Sequence, residues 1–215
     1  MFVENWMTPD PLTVPPTMTI SAAALFMGRH KFRHLLVAEA ATNGKKLAGL
    51  LSKYDLARAF PNHLNPFSLE VADNTVPQPI STIMVRNVVT VEPYCPIEEA
   101  ARIFRTRRIN ALPVIRAGIL AGILTESDVF DAMLNMTGAD DHAIRLVVES
   151  DDVGKTLNLI SQLAEQCRLG IIDAISFRNH KMENKIFSAF HFPTRPNEQF
   201  LQQLRTRGIR IVKLG

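Results

Sequence analysis

The sequence predicts an α+β or α/β protein: two β-α-β-β-α units in tandem, packed as a pair, then a ferredoxin-like βαββαβ unit. Three observations carry this. The segment Met7 to Val37 reads onto Met84 to Val114 at a constant offset of 77. After a slip of four residues, Gly49-Leu-Leu-Ser-Lys-Tyr-Asp55 lies on Gly122-Ile-Leu-Thr-Glu-Ser-Asp128 at offset 73. A duplication of about this period suggests two like units face to face, with equivalent clefts between them. From about His142 the pattern changes to β-α-β-β-α-β, within a chain of globular composition, 47% hydrophobic and 21% charged.

Each repeat is expected to run as a short extended leading segment, a helix, two strands and a closing helix. In the second copy Val88 to Val91 is apolar and β-branched, as an extended segment prefers. Pro96 suits the first turn of a helix, where its missing N–H is harmless. That helix places Ile97, Ala100, Ala101 and Phe104 on one face. Ala111–Ile115 and Leu120–Leu124 read as strands joined around Gly118, and Ser127 to Met133 as part of the closing helix. The first copy repeats this order, with Ala40 to Lys46 as a longer hairpin loop that absorbs the four extra residues. The proline-rich stretch 61–79 reads as a linker, giving repeats over 1–60 and 80–138. A boundary falls near 138–142. In the third unit, 142–215, strands are expected at Ala143–Glu149, Gly170–Phe177, Lys185–Phe192 and Ile209–Leu214. Helices are expected at Val153–Arg168 and Asn197–Arg207, with Gly208 as a stop.

The bulk numbers exclude several functions. Net charge is +3, and the one basic cluster, Arg102, Arg105, Arg107 and Arg108, reads as a solvated helix face; a nucleic-acid partner is not expected. No apolar run of 18 residues and no secretory leader is present, so a cytoplasmic protein without a membrane partner is expected. Cys95 and Cys167 lie 72 residues apart and fit free thiols in a reducing compartment. His30 and His34 are four apart but fall on different elements, and no metal site is expected. No Gly-x-x-x-x-Gly-Lys or Gly-x-Ser-x-Gly motif and no Cys/His pairing marks an enzyme.

The chemistry lies in the repeated Gly-apolar-apolar-Ser/Thr-x-x-Asp motif, at Gly49–Asp55 and Gly122–Asp128. It marks a strand that ends where a helix begins. The plain structural reading makes Ser52 and Thr125 helix caps, with Asp55 and Asp128 complementing the helix dipole. A second reading is chemical. Such a junction offers backbone donors and positive potential to a phosphate, and a carboxylate one turn in can accept two vicinal hydroxyls of a ribose. The doubling of the motif favours a nucleotide site.

With its Thr-Val-x-Pro segment, Ala-Ala helix, Leu-x-Val strand and closing motif, each found twice and in order, residues 1–136 resemble a tandem CBS-domain (Bateman) module. That resemblance implies a regulatory protein binding an adenosine compound (AMP, ADP, ATP or S-adenosylmethionine) in clefts between the repeats, with no cofactor required. One cleft would use Thr125, Ser127 and Asp128 with Asp10, Pro11, Leu12, Thr13, Arg33 and His34. There Thr125 and Asp128 would hold the ribose and part of the phosphate, Arg33 and His34 would meet the phosphate, and Asp10 to Thr13 would lie along the adenine. The other cleft would use Ser52, Tyr54 and Asp55 with Asn87, Asn110 and Ala111. Asn110 and Ala111 stand where the first cleft has Arg33 and His34, which implies weaker binding; Lys53 would compensate in part.

The third unit resembles an ACT domain, and the order CBS–CBS–ACT is similar to the acetoin-utilisation accessory protein family. The resemblance implies an amino-acid site at the turn Asp151, Asp152, Val153 and Gly154. Two departures bear on it: Val153 replaces a frequent proline, and Ile172 or Asp173 a frequent asparagine. The expected function is a non-enzymatic sensor acting as a homodimer on a target enzyme or transporter. The alternatives are a ligand-free dimerisation scaffold and, more distantly, an enzyme.

Overall fold

Two β-hairpins with the same irregularity organise the repeats. In the computed structural model, which describes residues 1–60, 65–67, 76–137, 143–179 and 185–215, short strands β1 (Thr8–Pro9) and β2 (Thr13–Val14) lead into helix α1 (Ile20–His30). Strands β3 (His34–Ala41) and β4 (Gly44–Ser52) and helix α2 (Lys53–Ala59) complete the first repeat. The second has α3 (Ile97–Arg107), β5 (Ala111–Arg116), β6 (Ile119–Thr125) and α4 (Glu126–Met136). Each hairpin shifts register at the same place, between Val37 and Ala38 in one and between Val114 and Ile115 in the other. The bulge is therefore part of the duplicated unit.

The helices follow from sequence periodicity. Ile20, Ala23, Ala24 and Met27 of α1 are buried, as are Ile97, Ala100 and Phe104 of α3, with Ala101 packed beside them. Thr19 caps α1 by accepting from the Ala22 N–H at 3.1 Å. Pro96 sits at the cap of α3, one residue before the expected position. Such end effects of a residue are ordinary.

The structure corrects the hairpin. The four extra residues of the first repeat are paired, not looped. Ala40↔Lys45 and Ala41↔Gly44 extend the ladder, leaving a two-residue turn. Two more rungs keep the inside–outside alternation of both strands intact, whereas an odd insertion would flip every side chain beyond it. The leading segment at Val88–Val91 is likewise less regular than expected, reduced to a parallel bridge of Val91 with Val114.

The leading segments are exchanged between the repeats, which sequence order does not reveal. Strand β1 pairs antiparallel with β6, so the chain's start extends the second repeat's sheet, in the order β1-β6-β5. Reciprocally, Val85 bridges to Leu50 of β4. Val3, Trp6 and Met7 pack into the core of Ile97, Phe104, Leu112 and Leu124, while Ile80 and Met84 pack into that of Ile20, Met27, Leu35 and Leu51. The motif glycines accept these crossings. A Cβ on Gly122 would lie 2.5 Å from Met7 Sδ, and one on Gly49 2.7 Å from Met84 Sδ. Here glycine answers a close approach of two strands.

The chain divides into two compact units, Met1–Ala132 and Met133–Gly215; most of the expected linker and the expected boundary at 138–142 lie outside the described residues. The second unit carries β7 (Ile144–Ser150), α5 (Val153–Gln166), β8 (Asp173–Asn179), β9 (Lys185–Phe192), α6 (Glu198–Thr206) and β10 (Arg210–Leu214). Its sheet order is β10-β7-β9-β8 with every pair antiparallel, the ferredoxin-like arrangement. Leu146, Val148, Phe190 and Phe192 pack against Ile160, Leu163, Phe200 and Leu204. Strand β8 begins at Asp173, later than the expected Gly170, and Gly208 takes φ +78° just past α6. Asn197 caps that helix, accepting from Phe200 N–H at 2.9 Å.

Candidate functional site

At the end of β4 and of β6 the chain turns into a helix, and the motif carboxylate closes the junction. The Ser52 N–H and hydroxyl donate to Asp55 Oδ2 at 2.8 and 2.6 Å, and the Asp55 N–H donates back to Ser52 Oγ at 3.2 Å. In the second repeat the Thr125 N–H and hydroxyl donate to Asp128 Oδ2 at 2.6 and 2.8 Å. The simple capping picture is therefore reversed in part, since the aspartate also accepts from the residue before the helix. In each repeat both bonds fall on one carboxylate oxygen, and among the described residues the other makes no hydrogen bond.

A cleft of about 420 Å³ opens between the repeats, lined by Thr8, Asp10, Pro11, Leu12, Lys31, Phe32, Arg33, His34, Leu36, Ile123 and Thr125. Of the residues expected there, Asp10, Pro11, Leu12, Arg33, His34 and Thr125 are on the wall. Ser127 joins it through Arg33, whose guanidinium donates to the Ser127 hydroxyl at 3.0 Å. Asp128 stands behind Thr125, and Thr13 is occupied in β2, paired with Leu36. Asp10 takes the left-handed φ of +40°, and its carboxylate receives Lys45 Nζ at 3.0 Å from one of the added rungs. The cleft is mainly apolar at its floor and cationic at one side, the composition of a ligand site.

A second cleft of about 220 Å³ is lined by Ser52, Asp55, Asn87, Asn110 and Ala111, and by Leu50, Val85, Val88, Val89, Ile109, His34 and Arg108. Two expectations need correcting. Asn110 and Ala111 do stand in place of Arg33 and His34, but the cation on this wall is Arg108 rather than Lys53, and the His34 ring reaches it as well. Lys53 and Tyr54 are not part of it: Lys53 Nζ lies 5.2 Å from the Phe67 ring, and Tyr54 is 68% exposed with Arg58 over its ring. Both follow α2 out of the junction and point off the cleft.

His34 thus lines both clefts. Its imidazole is held below the ordinary histidine range, chiefly by burial and further by Arg33, against the opposing pull of Asn110, Asp55 and Glu126. Sequence reasoning also missed Lys31. It ends α1 at φ +56°, as Arg108 ends α3 at φ +54°, and each lines its own cleft. The offset of 77 relates the two, but only the left-handed turn aims them inward.

The turn at residues 151–154 is organised as a helix start. Asp152 caps α5, accepting from the Lys155 N–H at 3.1 Å, with Lys155 Nζ at 3.7 Å. That backbone bond first, then the Lys155 charge, holds its carboxyl below the usual range against some desolvation. Asp151 and Gly154 are exposed, and Val153 opens the helix. Among the described residues no group of three His, Cys, Asp or Glu could hold a metal ion, and no helix is long and apolar enough to cross a membrane.

The family model described as "CBS domain" matches residues 3–62 and 80–135, more than half of the chain. The chain is 28% identical over 194 residues to the protein MJ1225 of Methanocaldococcus jannaschii, covering 77% of this chain and 66% of the relative, just under two thirds of its length. Among solved structures, a protein of Vibrio cholerae assigned to acetoin utilization matches with TM-score 0.53 and 28% identity, over 66% of this chain and 96% of that one. CBSX2, solved in complex with AMP, matches with TM-score 0.52 and 28% identity over 62% of this chain and 96% of its own. The CBS domain pair of protein MJ0100, solved with 5-methylthioadenosine and S-adenosyl-L-methionine, gives 0.50 and 25% over 63% and 97%.

Proposed function

The chain belongs to the CBS-domain family, and from that premise we propose that it is a non-enzymatic regulatory sensor of a phosphorylated adenosine. The nucleotide occupies the larger cleft between the repeats. The observation that carries this is one wall holding Arg33, tied to Ser127 at 3.0 Å, beside Thr125, whose partner Asp128 keeps one carboxylate oxygen unbonded among the described residues. The guanidinium and the start of α4 take the phosphate, Asp128 a ribose hydroxyl, and the apolar surface of Pro11, Leu12 and Leu36 the base. The AMP complex of a similar CBS protein supports the ligand class.

Nucleotide binding alters the packing of the two repeats, and through it the association of the chain with a second copy and with a target enzyme or transporter. The C-terminal unit serves as an ACT-like dimerisation module; its ferredoxin-like strand order supports this role. The test is calorimetric titration of the purified chain with AMP, ADP, ATP and S-adenosylmethionine, alongside Arg33→Ala and Asp128→Asn, with sedimentation to follow association. Saturable binding lost in both variants is expected. Unchanged affinity in both variants defeats the site, and silence across the panel leaves a scaffold.

A further inference from the structure

We propose that Lys31 reads phosphate number in the larger cleft, so that its ligand is an adenosine carrying at least two phosphates; this rests on the nucleotide reading above. The first observation is backbone strain. A left-handed residue closing a helix is usually glycine or asparagine, because a Cβ is penalised there. Yet α1 ends on Lys31 at φ +56° and α3 on Arg108 at φ +54°. Both repeats keep a long cationic side chain where a small residue is easier to accommodate, and in each it lines its own cleft. Arg168 also takes a left-handed φ of +54° just past α5, so the backbone alone is not the signal; in the two repeats the cation at this position lines a cleft each time, and that shared aim points to a ligand.

The second observation is that this charge is unclaimed. Among the described residues Lys31 makes no ion pair and no side-chain hydrogen bond, whereas Arg33 is tethered to Ser127 at 3.0 Å and Lys45 is neutralised by Asp10 at 3.0 Å. The cleft therefore holds one fixed cation and one free one on the same stretch of chain. The fixed guanidinium suits the phosphate nearest the ribose. The exposed, flexible ammonium of Lys31 suits a phosphate beyond it, whose position the nucleoside does not fix. Two net positive charges on one wall also disfavour a sulfonium ligand such as S-adenosylmethionine.

The experiment is calorimetric titration of the full chain in magnesium-free buffer with adenosine, AMP, ADP and ATP, for wild type, Lys31→Asn and Arg33→Ala. Asparagine tolerates the left-handed backbone, so Lys31→Asn removes the charge and melts no lower than wild type. Wild type is expected to bind ADP about tenfold tighter than AMP, one charge-assisted contact's worth. In Lys31→Asn ADP weakens several-fold more than AMP and the preference falls to about twofold or less, while Arg33→Ala weakens AMP and ADP alike. Equal affinity for AMP and ADP in wild type overturns the inference, as does equal weakening of both in Lys31→Asn; either leaves the nucleotide reading standing. Failure of every phosphorylated adenosine to bind overturns both.

Discussion

Replacing Gly122 with alanine tests the exchange of leading segments directly. The new Cβ would lie 2.5 Å from Met7 Sδ and 3.0 Å from both Met7 Cγ and the Thr8 carbonyl oxygen. Carbon contacts are relaxed at about 3.5–4.0 Å, so the thioether must retreat by about 1 Å and the Thr8 carbonyl by several tenths. Met7 has rotamers to spare, but Thr8 is held by its pairing with Ile123. Overpacking of this kind costs about 1–3 kcal/mol, against which alanine recovers about 0.4–1 kcal/mol through the unfolded chain. The net loss is about 1–2 kcal/mol, or roughly 3–8 °C in the melting temperature of a unit this size. Urea and thermal denaturation measure it, and Met7→Ala in the Gly122→Ala background should return part of the loss as a favourable coupling. Binding in the larger cleft should weaken as well, since β1 carries Thr8 and Asp10 to its wall. A stabilised or unchanged Gly122→Ala protein would refute the close crossing of β1 over β6.

Four further outcomes are expected. Asp128→Ala removes the acceptor of two bonds to Thr125, at 2.6 and 2.8 Å, and should cost about 1–2 kcal/mol in urea unfolding, Asp128→Asn less. His34, held below its ordinary value by burial, favours the neutral ring when folded. The unfolded chain therefore takes the proton first, and stability falls as pH drops from about 6.5 toward the folded value; His34→Gln should flatten that slope in melts between pH 7 and 5. Glu149 is held below the usual carboxylate range by its bond to Lys185 and then by Arg210. Its contribution is present above about pH 4.3 and lost as pH falls through the folded value, a loss that Glu149→Gln should remove from acid titrations of stability. Phe190→Ala, in the core of the C-terminal unit, should cost about 3–5 kcal/mol in calorimetric melting.

Much of this architecture was legible because it is local. The 3.6-residue spacing of Ile97, Ala100 and Phe104 reports its own burial. The duplication located the junctions at Ser52 and Thr125. What escaped is non-local or conformational. Nothing in the residues 1–9 announces that they complete the other repeat's core, since the pairing partner of Thr8 lies more than a hundred residues away. The added rungs read as a loop because Asn43-Gly44 signals a turn without saying how far the strands run toward it. Arg108 reads in sequence as part of a solvated helix face and Lys31 carries no signal of its own; a left-handed φ places both on the cleft walls.

The crossing of β1 onto β6 and of Val85 onto Leu50 also decides what one repeat would lack by itself. A single unduplicated repeat would have a vacant lane beside its second strand, a loose leading arm and half of each cleft. Two such repeats complete one another by trading arms, and one continuous chain makes that exchange independent of concentration. It also leaves the two clefts free to differ, with Lys31 and Arg33 lining one, Arg108 and Asn110 the other, and His34 shared between them.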